Sequence, residues 1–189
     1  MTGKKNYQIT EFCHRFLADY IKEGSCCIDA TCGKGNDTEF LCRMAGKSGK
    51  VYAFDIQEQA VEYTSDRLER AGYRDRAELY CKGHEHMTEY IQEKADVIMF
   101  NFGYLPGGDH SLATRPETSL QAVRQGLELL NAGGVMSLCI YSGGDTGYEE
   151  REALLDYLKD LDPRRWLVIM CSYFNRKNDP PLPVFIIRL

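Results

Sequence analysis

Asp29, Gly33, Gly35 and Asp55 are the residues whose types and spacing first suggest chemistry. The two glycines lie in the run DATCGKGNDT, residues 29–38, directly behind the apolar SCCI. A glycine-rich turn leaving a strand lets backbone approach a ligand closely. The dinucleotide fingerprint G-x-G-x-x-G requires a third glycine where this chain has Thr38, and a phosphate-binding P-loop requires Ser or Thr after its lysine, whereas Lys34 sits between the glycines. What is left is an acid four residues ahead of a G-x-G and a second acid, Asp55, about twenty residues beyond it. A carboxylate at Asp55 can accept both hydroxyls of a ribose, and Asp29 can accept from an ammonium or from loop N–H groups. S-adenosylmethionine, an adenosine with a cationic amino-acid tail, meets both demands. Taken singly, the glycines could make only a tight turn and Asp55 could only cap a helix; their conjunction favours the cofactor.

A second cluster follows in NFGYLPGGDHSLATRPETS, residues 101–119. Methyl transfer from a sulfonium to a neutral amine moves positive charge onto nitrogen, so oxygens aimed at that nitrogen stabilise the transition state more than the ground state. Asn101 offers such an oxygen. An alkyl amine must also lose a proton before it attacks. His110 is the side chain here whose type suits that transfer, and Asp109 can position it or hold the ammonium. GGDH can equally be a turn with an Asx cap. His84, His86 and His110 fall close together in sequence, but no cysteine or acid spacing completes a zinc site, and no metal is expected.

The elements that position these residues follow from hydrophobic periodicity. Ile9, Phe12, Cys13, Phe16, Leu17, Tyr20 and Ile21 give a helix with one buried face that ends at Gly24. Strand-length apolar or alternating runs occur at 26–29, 50–55, 77–81, 96–101 and 134–141. They alternate with helical patterns, clearest at 57–71 and at 116–130, where Leu120, Val123, Leu127 and Leu130 share a face. Thr114 and Glu117 read as a capping box with Pro116 in the first turn. Such alternation buries both faces of a parallel sheet behind right-handed crossovers. After a helical stretch at 147–161, the runs 165–174 and 183–189 lie too close together for a helical crossover and should pair antiparallel. The expected fold is therefore α/β and Rossmann-like, with five parallel strands, a C-terminal antiparallel hairpin and helices on both faces. It forms a single domain over 1–189, with the N-terminal helix of 1–24 packed on the core. Ligands of open parallel sheets sit beyond the carboxyl ends of the strands, where Asp29, Asp55 and Asn101 fall.

At 189 residues the chain suits one domain, able to bury roughly 70% of its unfolded surface without staples. Its eight cysteines form no C-x-x-C pair and sit mostly in apolar runs, as reduced core thiols do. No apolar run approaches the ~20 residues that span a bilayer, and the N-terminus lacks a signal-peptide core, so a cytoplasmic protein without membrane contact is expected. The net charge of −5 disfavours an all-over nucleic-acid glove but leaves room for local basic patches. Oligomeric state is left open, a homodimer included.

With its closing hairpin, the DATCGKGNDT loop resembles the class I S-adenosylmethionine-dependent methyltransferases, whose loop reads D/E-x-G-x-G-x-G. Thr31 stands in the first glycine's place, and its hydroxyl suits the methionine end of the cofactor. By the same resemblance Asp29, Gly33, Gly35, Asn36, Asp37 and Thr38 line the cofactor loop. Asp55, Ile56 and Gln57 take the ribose side, and His84 or Glu85 meets the adenine. Asn101, Phe102, Gly103 and Tyr104 resemble the N-P-P-Y motif of methyltransferases acting on base amino groups. There the Asn oxygen and a backbone carbonyl accept from the amine and the Tyr stacks on the base; here Phe102 and Gly103 replace the prolines.

DATCGKGNDT together with NFGYLPGGDHSLATRPETSLQA is similar to a small bacterial family labelled rRNA methylases. Its members are identified with the tRNA methyltransferase that converts 5-aminomethyl-2-thiouridine to 5-methylaminomethyl-2-thiouridine at the wobble position. That resemblance implies tRNA, met at its anticodon stem-loop, as the partner. If the sixth strand runs parallel to the first five, Arg176 and Lys177 reach the cofactor side, with Tyr173 and Phe174 as stacking surfaces and Arg115 and Lys34 opening nearby. The rivals are an rRNA or small-molecule N-methyltransferase and a non-catalytic cofactor-binding adaptor.

Overall fold

The structure, a computed structural model, describes residues 8–102, 114–142, 147–176 and 180–189. The chain runs through α1 (Ile9–Leu17), β1 (Cys26–Asp29), α2 (Asn36–Ala45), β2 (Lys50–Asp55), α3 (Glu58–Ala71) and β3 (Ala77–Cys81). It continues through α4 (Met87–Tyr90), β4 (Ala95–Phe102), α5 (Pro116–Leu129), β5 (Leu130–Ile140), α6 (Gly147–Lys159), β6 (Trp166–Met170) and β7 (Leu182–Arg188). Among the described residues, seven strands form one sheet in the order β3-β2-β1-β4-β5-β7-β6. Strands β1 to β5 pair in parallel. β7 runs antiparallel to both β5 and β6, so β6 points the same way as the first five and its exit lies at the carboxyl edge. The strand order reverses direction at β1 and β4, the switch point where α/β sheets open a crevice for ligands.

Period-two alternation divides the strand side chains between two cores. Ile28, Phe54, Ile98, Phe100 and Phe102 pack with α4, α5 and α6, whereas Cys27, Val51, Val97, Met99 and Cys139 pack with α1, α2 and α3. Both faces are covered, which explains near-continuous apolar strands in place of polar alternation. Phe54, Phe100, Phe102 and Phe185 are fully buried, each contributing roughly 1.5–3 kcal/mol by removal from water. The same parity directs Asp29 and Asn101 to the α1–α3 face, so the two candidate chemical residues emerge on one side.

Several local expectations change: α1 stops at Leu17, short of Gly24, and β5 starts at Leu130, ahead of its apolar run. Arg115, not Thr114, occupies the N-cap of α5, with Pro116 at the first position; the Thr114 hydroxyl instead donates to Glu150 at 2.9 Å. The β3–β4 connection is a 3-10 turn, His84–His86, followed by the single turn of α4, shorter than the other crossovers. Among the described residues, no helix is long and apolar enough to cross a membrane.

Candidate active site

Two aspartates organise the loop after β1. The Asp29 carboxylate is wholly buried and accepts from Thr38 Oγ1 at 2.6 Å and from the Thr31 N–H at 3.2 Å. The loop is stitched to its neighbours by Ala30 N–H on the Met99 carbonyl and Cys32 N–H on the Phe54 carbonyl. Asp55 accepts the Gly33 N–H on Oδ2 and the Gln57 N–H on Oδ1, each at 3.0 Å. An ionised carboxylate offers roughly four lone-pair sites, so these two bonds leave Asp55 capacity for ribose hydroxyls.

Backbone geometry accounts for the glycines. Gly33 has φ 52° and Gly35 φ 75°, the left-handed region that glycine enters without a steric penalty. A Cβ on Gly35 would also lie 3.0 Å from the Thr64 backbone, so α2 starts against α3 only because no side chain intervenes. Asn36 is exposed beside it, with its backbone beginning the helix whose N–H groups favour an anion.

Burial pushes the Asp29 carboxyl well above its ordinary range, and the Asp37 charge adds to this, against the bonds from Thr38 and Thr31. Burial also raises Asp55, against the Gln57 and Gly33 N–H bonds. A cation beside Asp29 would reverse the penalty, which suits a ligand with an ammonium group.

An orphaned atom stands just beyond β3, where the adenine is expected. His84 packs edge-on against Phe100 and Phe102, and burial lowers its pKa, keeping the ring neutral. It bonds to the backbone of Ala30, while its Nε2 is buried without a partner. A buried polar atom left unpaired costs free energy, and an exocyclic amine would satisfy it. Glu85 is fixed beside it, its carbonyl accepting from Gln121 and Gln125. Ile56 stands 49% exposed at the end of β2, an apolar surface placed to cover a ring. The orphaned nitrogen, the glycine cradle and the buried acid together fit S-adenosylmethionine.

Asn101 meets this loop at the end of β4. Its N–H donates to Thr31 Oγ1 at 2.7 Å, so the Thr31 hydroxyl joins the loop to the strand. Its side-chain Nδ2 donates to Asp37 Oδ2, which leaves Oδ1 as the acceptor of the amide. Asp37 Oδ1 lies 2.5 Å from His14 Nε2, and the His14 ring stacks on Phe40 at 4.0 Å and 3°. Asp37, expected among the cofactor contacts, therefore stands between Asn101 and α1. His14 was not legible as a site residue: the only local sign is a histidine beside the buried stripe of an amphipathic helix. Tyr141 lies 39% exposed just beyond β5, with its phenol pushed up by burial and hydrogen-bonded to Cys139.

The remaining expectations divide. The Phe102 ring is buried and stacked on Phe100 at 5.1 Å, so it belongs to the core and only its backbone is left to face a substrate. Arg115 and Arg176 are exposed. Tyr173 is half-buried against the α1 side of the sheet, whereas Phe174 is fully exposed. Buried Glu150 accepts from Thr114 and Ser119, anchoring the entry to α5. Gly103, Tyr104, Asp109, His110 and Lys177 lie outside the described residues.

A parallel sheet with one reversed strand and an acid-ended glycine loop at its switch point defines a class I S-adenosylmethionine-dependent methyltransferase. The chain belongs to the family described as "Putative rRNA methylase", whose model matches residues 51–187. It is 38% identical to the "tRNA (mnm(5)s(2)U34)-methyltransferase, chloroplastic" of Arabidopsis thaliana, over 97% of this chain and 69% of that protein. Among solved structures it is similar to a putative rRNA-methylase from Clostridium thermocellum, with a TM-score of 0.95 and 41% identity over 98% of this chain and 100% of the other. It is also similar to a putative methyltransferase from Streptococcus mutans in complex with SAH, with a TM-score of 0.88 and 36% identity over 98% and 100% of the two chains. The enzyme is an S-adenosylmethionine-dependent methyltransferase.

Proposed function

We propose that the enzyme methylates the primary amine of 5-aminomethyl-2-thiouridine at the wobble position of tRNA, giving 5-methylaminomethyl-2-thiouridine, and that it works in the cytoplasm on the anticodon stem-loop. The observation that carries this is the Asn101 carboxamide, whose Nδ2 is committed to Asp37, so that its oxygen is the atom left to accept at the end of β4. An acceptor there suits an amine, which donates. The name of the Arabidopsis relative supports a wobble uridine as its carrier.

Bound S-adenosylmethionine supplies an electrophilic methyl group on a sulfonium. Asp29 would hold the ammonium of the tail, Asp55 the ribose and His84 Nε2 the adenine amine. Asn101 Oδ1 accepts from the substrate nitrogen and stabilises the positive charge that builds there. His110, with Asp109 beside it in sequence, takes the proton that the substrate ammonium must lose to expose its lone pair. Tyr104 stacks on the base. Arg115, Arg176 and Lys177 contact phosphates, and the exposed Phe174 offers a stacking face.

The test is transfer of labelled methyl groups by the purified enzyme to tRNA from cells lacking it, followed by nucleoside analysis. Label in 5-methylaminomethyl-2-thiouridine is expected. Label in rRNA or a free metabolite alone would redirect the assignment, and cofactor binding with no transfer to any acceptor would favour the adaptor.

A further inference from the structure

We infer that His14 is a positioning residue for methyl transfer, acting on Asn101 through Asp37; this rests on Asn101 as the amine acceptor. The three side chains come from separate elements, α1, α2 and β4, and converge on one carboxylate. Asp37 lies in the first turn of α2, where the helix N-terminus favours negative charge. An ionised carboxylate only accepts, so both partners must donate. Asn101 must therefore present Nδ2 to Asp37 and turn Oδ1 the other way, and His14 must present an Nε2–H. The orientation that the transfer requires is thus imposed by the charge of Asp37.

His14 holds the far side of that carboxylate. Its contact is to Oδ1 and that of Asn101 is to Oδ2, so removing His14 frees Asp37 to rotate. The imidazole is itself fixed by parallel stacking on Phe40. An apolar residue could fill the same space on Phe40, while a polar chain in a largely buried setting costs desolvation. The feature that packing alone does not require is the Nε2 donor.

The substitutions His14→Phe and His14→Gln separate donor from packing. Phenylalanine keeps the stack and loses the donor; glutamine keeps a donor near Nε2 and loses the stack. The first readout is the Asn101 side-chain amide resonance in the cofactor-free protein, which needs no substrate. It is expected to move in H14F and to return towards its wild-type position in H14Q. The second is steady-state kinetics on tRNA: kcat in H14F falls roughly tenfold with KM for the cofactor unchanged, and H14Q recovers most of the loss. Adding H14F to N101A costs nothing further, because the two act as one unit. His14→Leu replaces H14F if the latter does not fold. An unmoved Asn101 resonance in a folded variant, or losses that add in the double mutant, would overturn the inference. Failure of the wild type to methylate tRNA would remove the proposed substrate, and the resonance would still decide the role of His14.

Discussion

Asp55 reaches back to Gly33, accepting its N–H at 3.0 Å while taking that of Gln57 on its other oxygen. The end of β2 thus holds the glycine loop of β1 in the shape that a ribose would meet. Asp55→Ala should remove both the ribose acceptor and this brace. Hydrogen bonds to a charged group are worth roughly 1.5–3 kcal/mol, so cofactor affinity should fall by one to two powers of ten. Calorimetry with S-adenosylmethionine checks it; an unchanged dissociation constant in a folded variant would take Asp55 out of the site.

If Asp29 holds the ammonium of the cofactor, as proposed, binding should depend on pH. Burial pushes its carboxyl from 3.8 up to about 7. Between those values the folded protein binds more protons than the unfolded chain, so this group's stabilising contribution is largest at low pH and declines as pH rises towards 7. Binding an ammonium requires the carboxylate, so cofactor affinity should change in the opposite sense and strengthen over that range. Proton release on binding should be greater at about pH 6 than at about pH 8, read from calorimetry in buffers of different ionisation enthalpy. Asp29→Asn should abolish the difference and weaken binding.

Gly35 and Gly72 have nearly the same positive φ, 75° and 72°, but different surroundings. A Cβ at Gly35 meets the Thr64 backbone at 3.0 Å, whereas one at Gly72 meets nothing within 4 Å. Gly72→Ala should cost only the left-handed penalty of roughly 1–2 kcal/mol. Gly35→Ala should cost more and also weaken cofactor binding, because α2 would have to shift. Urea denaturation of both variants gives the comparison, and equal losses would mean that the close approach to α3 is of no consequence.

Substituting Arg176 and Lys177 tests an RNA substrate against a free metabolite. Replacing both by Ala should raise KM for tRNA and reduce the salt slope of binding by about one to two units, with cofactor affinity unchanged. tRNA affinity across a salt series measures this. Equally steep plots for variant and wild type would place the RNA elsewhere.

The parts of the fold that depend on local pattern were legible. β1, β2 and β3 occupy the runs 26–29, 50–55 and 77–81, each apolar or alternating and bounded by residues that break strands. β5 begins earlier than its apolar run, because Leu130 pairs with Ala95 across a register shift while Asn131, Gly133 and Gly134 resemble a turn. The Thr114 cap failed for a reason no local window contains, since its hydroxyl goes to Glu150, 36 residues away. The site divides the same way. Asp29, Gly33, Gly35 and Asp55 stand out because strand ends and left-handed turns select residue types directly. His14 does not, because its meaning lies in a partner 23 residues on, and the Asn101–Asp37 bond spans 64. Only the packing of α1 and α2 against β4 brings these together.

Modified nucleosides in tRNA from cells lacking this enzyme, measured by mass spectrometry with and without complementation, test the central claim most directly. Cells without it should accumulate 5-aminomethyl-2-thiouridine and lose 5-methylaminomethyl-2-thiouridine. The wild-type enzyme should restore the methylated nucleoside, and Asn101→Ala, folded and able to bind cofactor, should not. An unchanged level of 5-methylaminomethyl-2-thiouridine in cells lacking the enzyme would contradict the account.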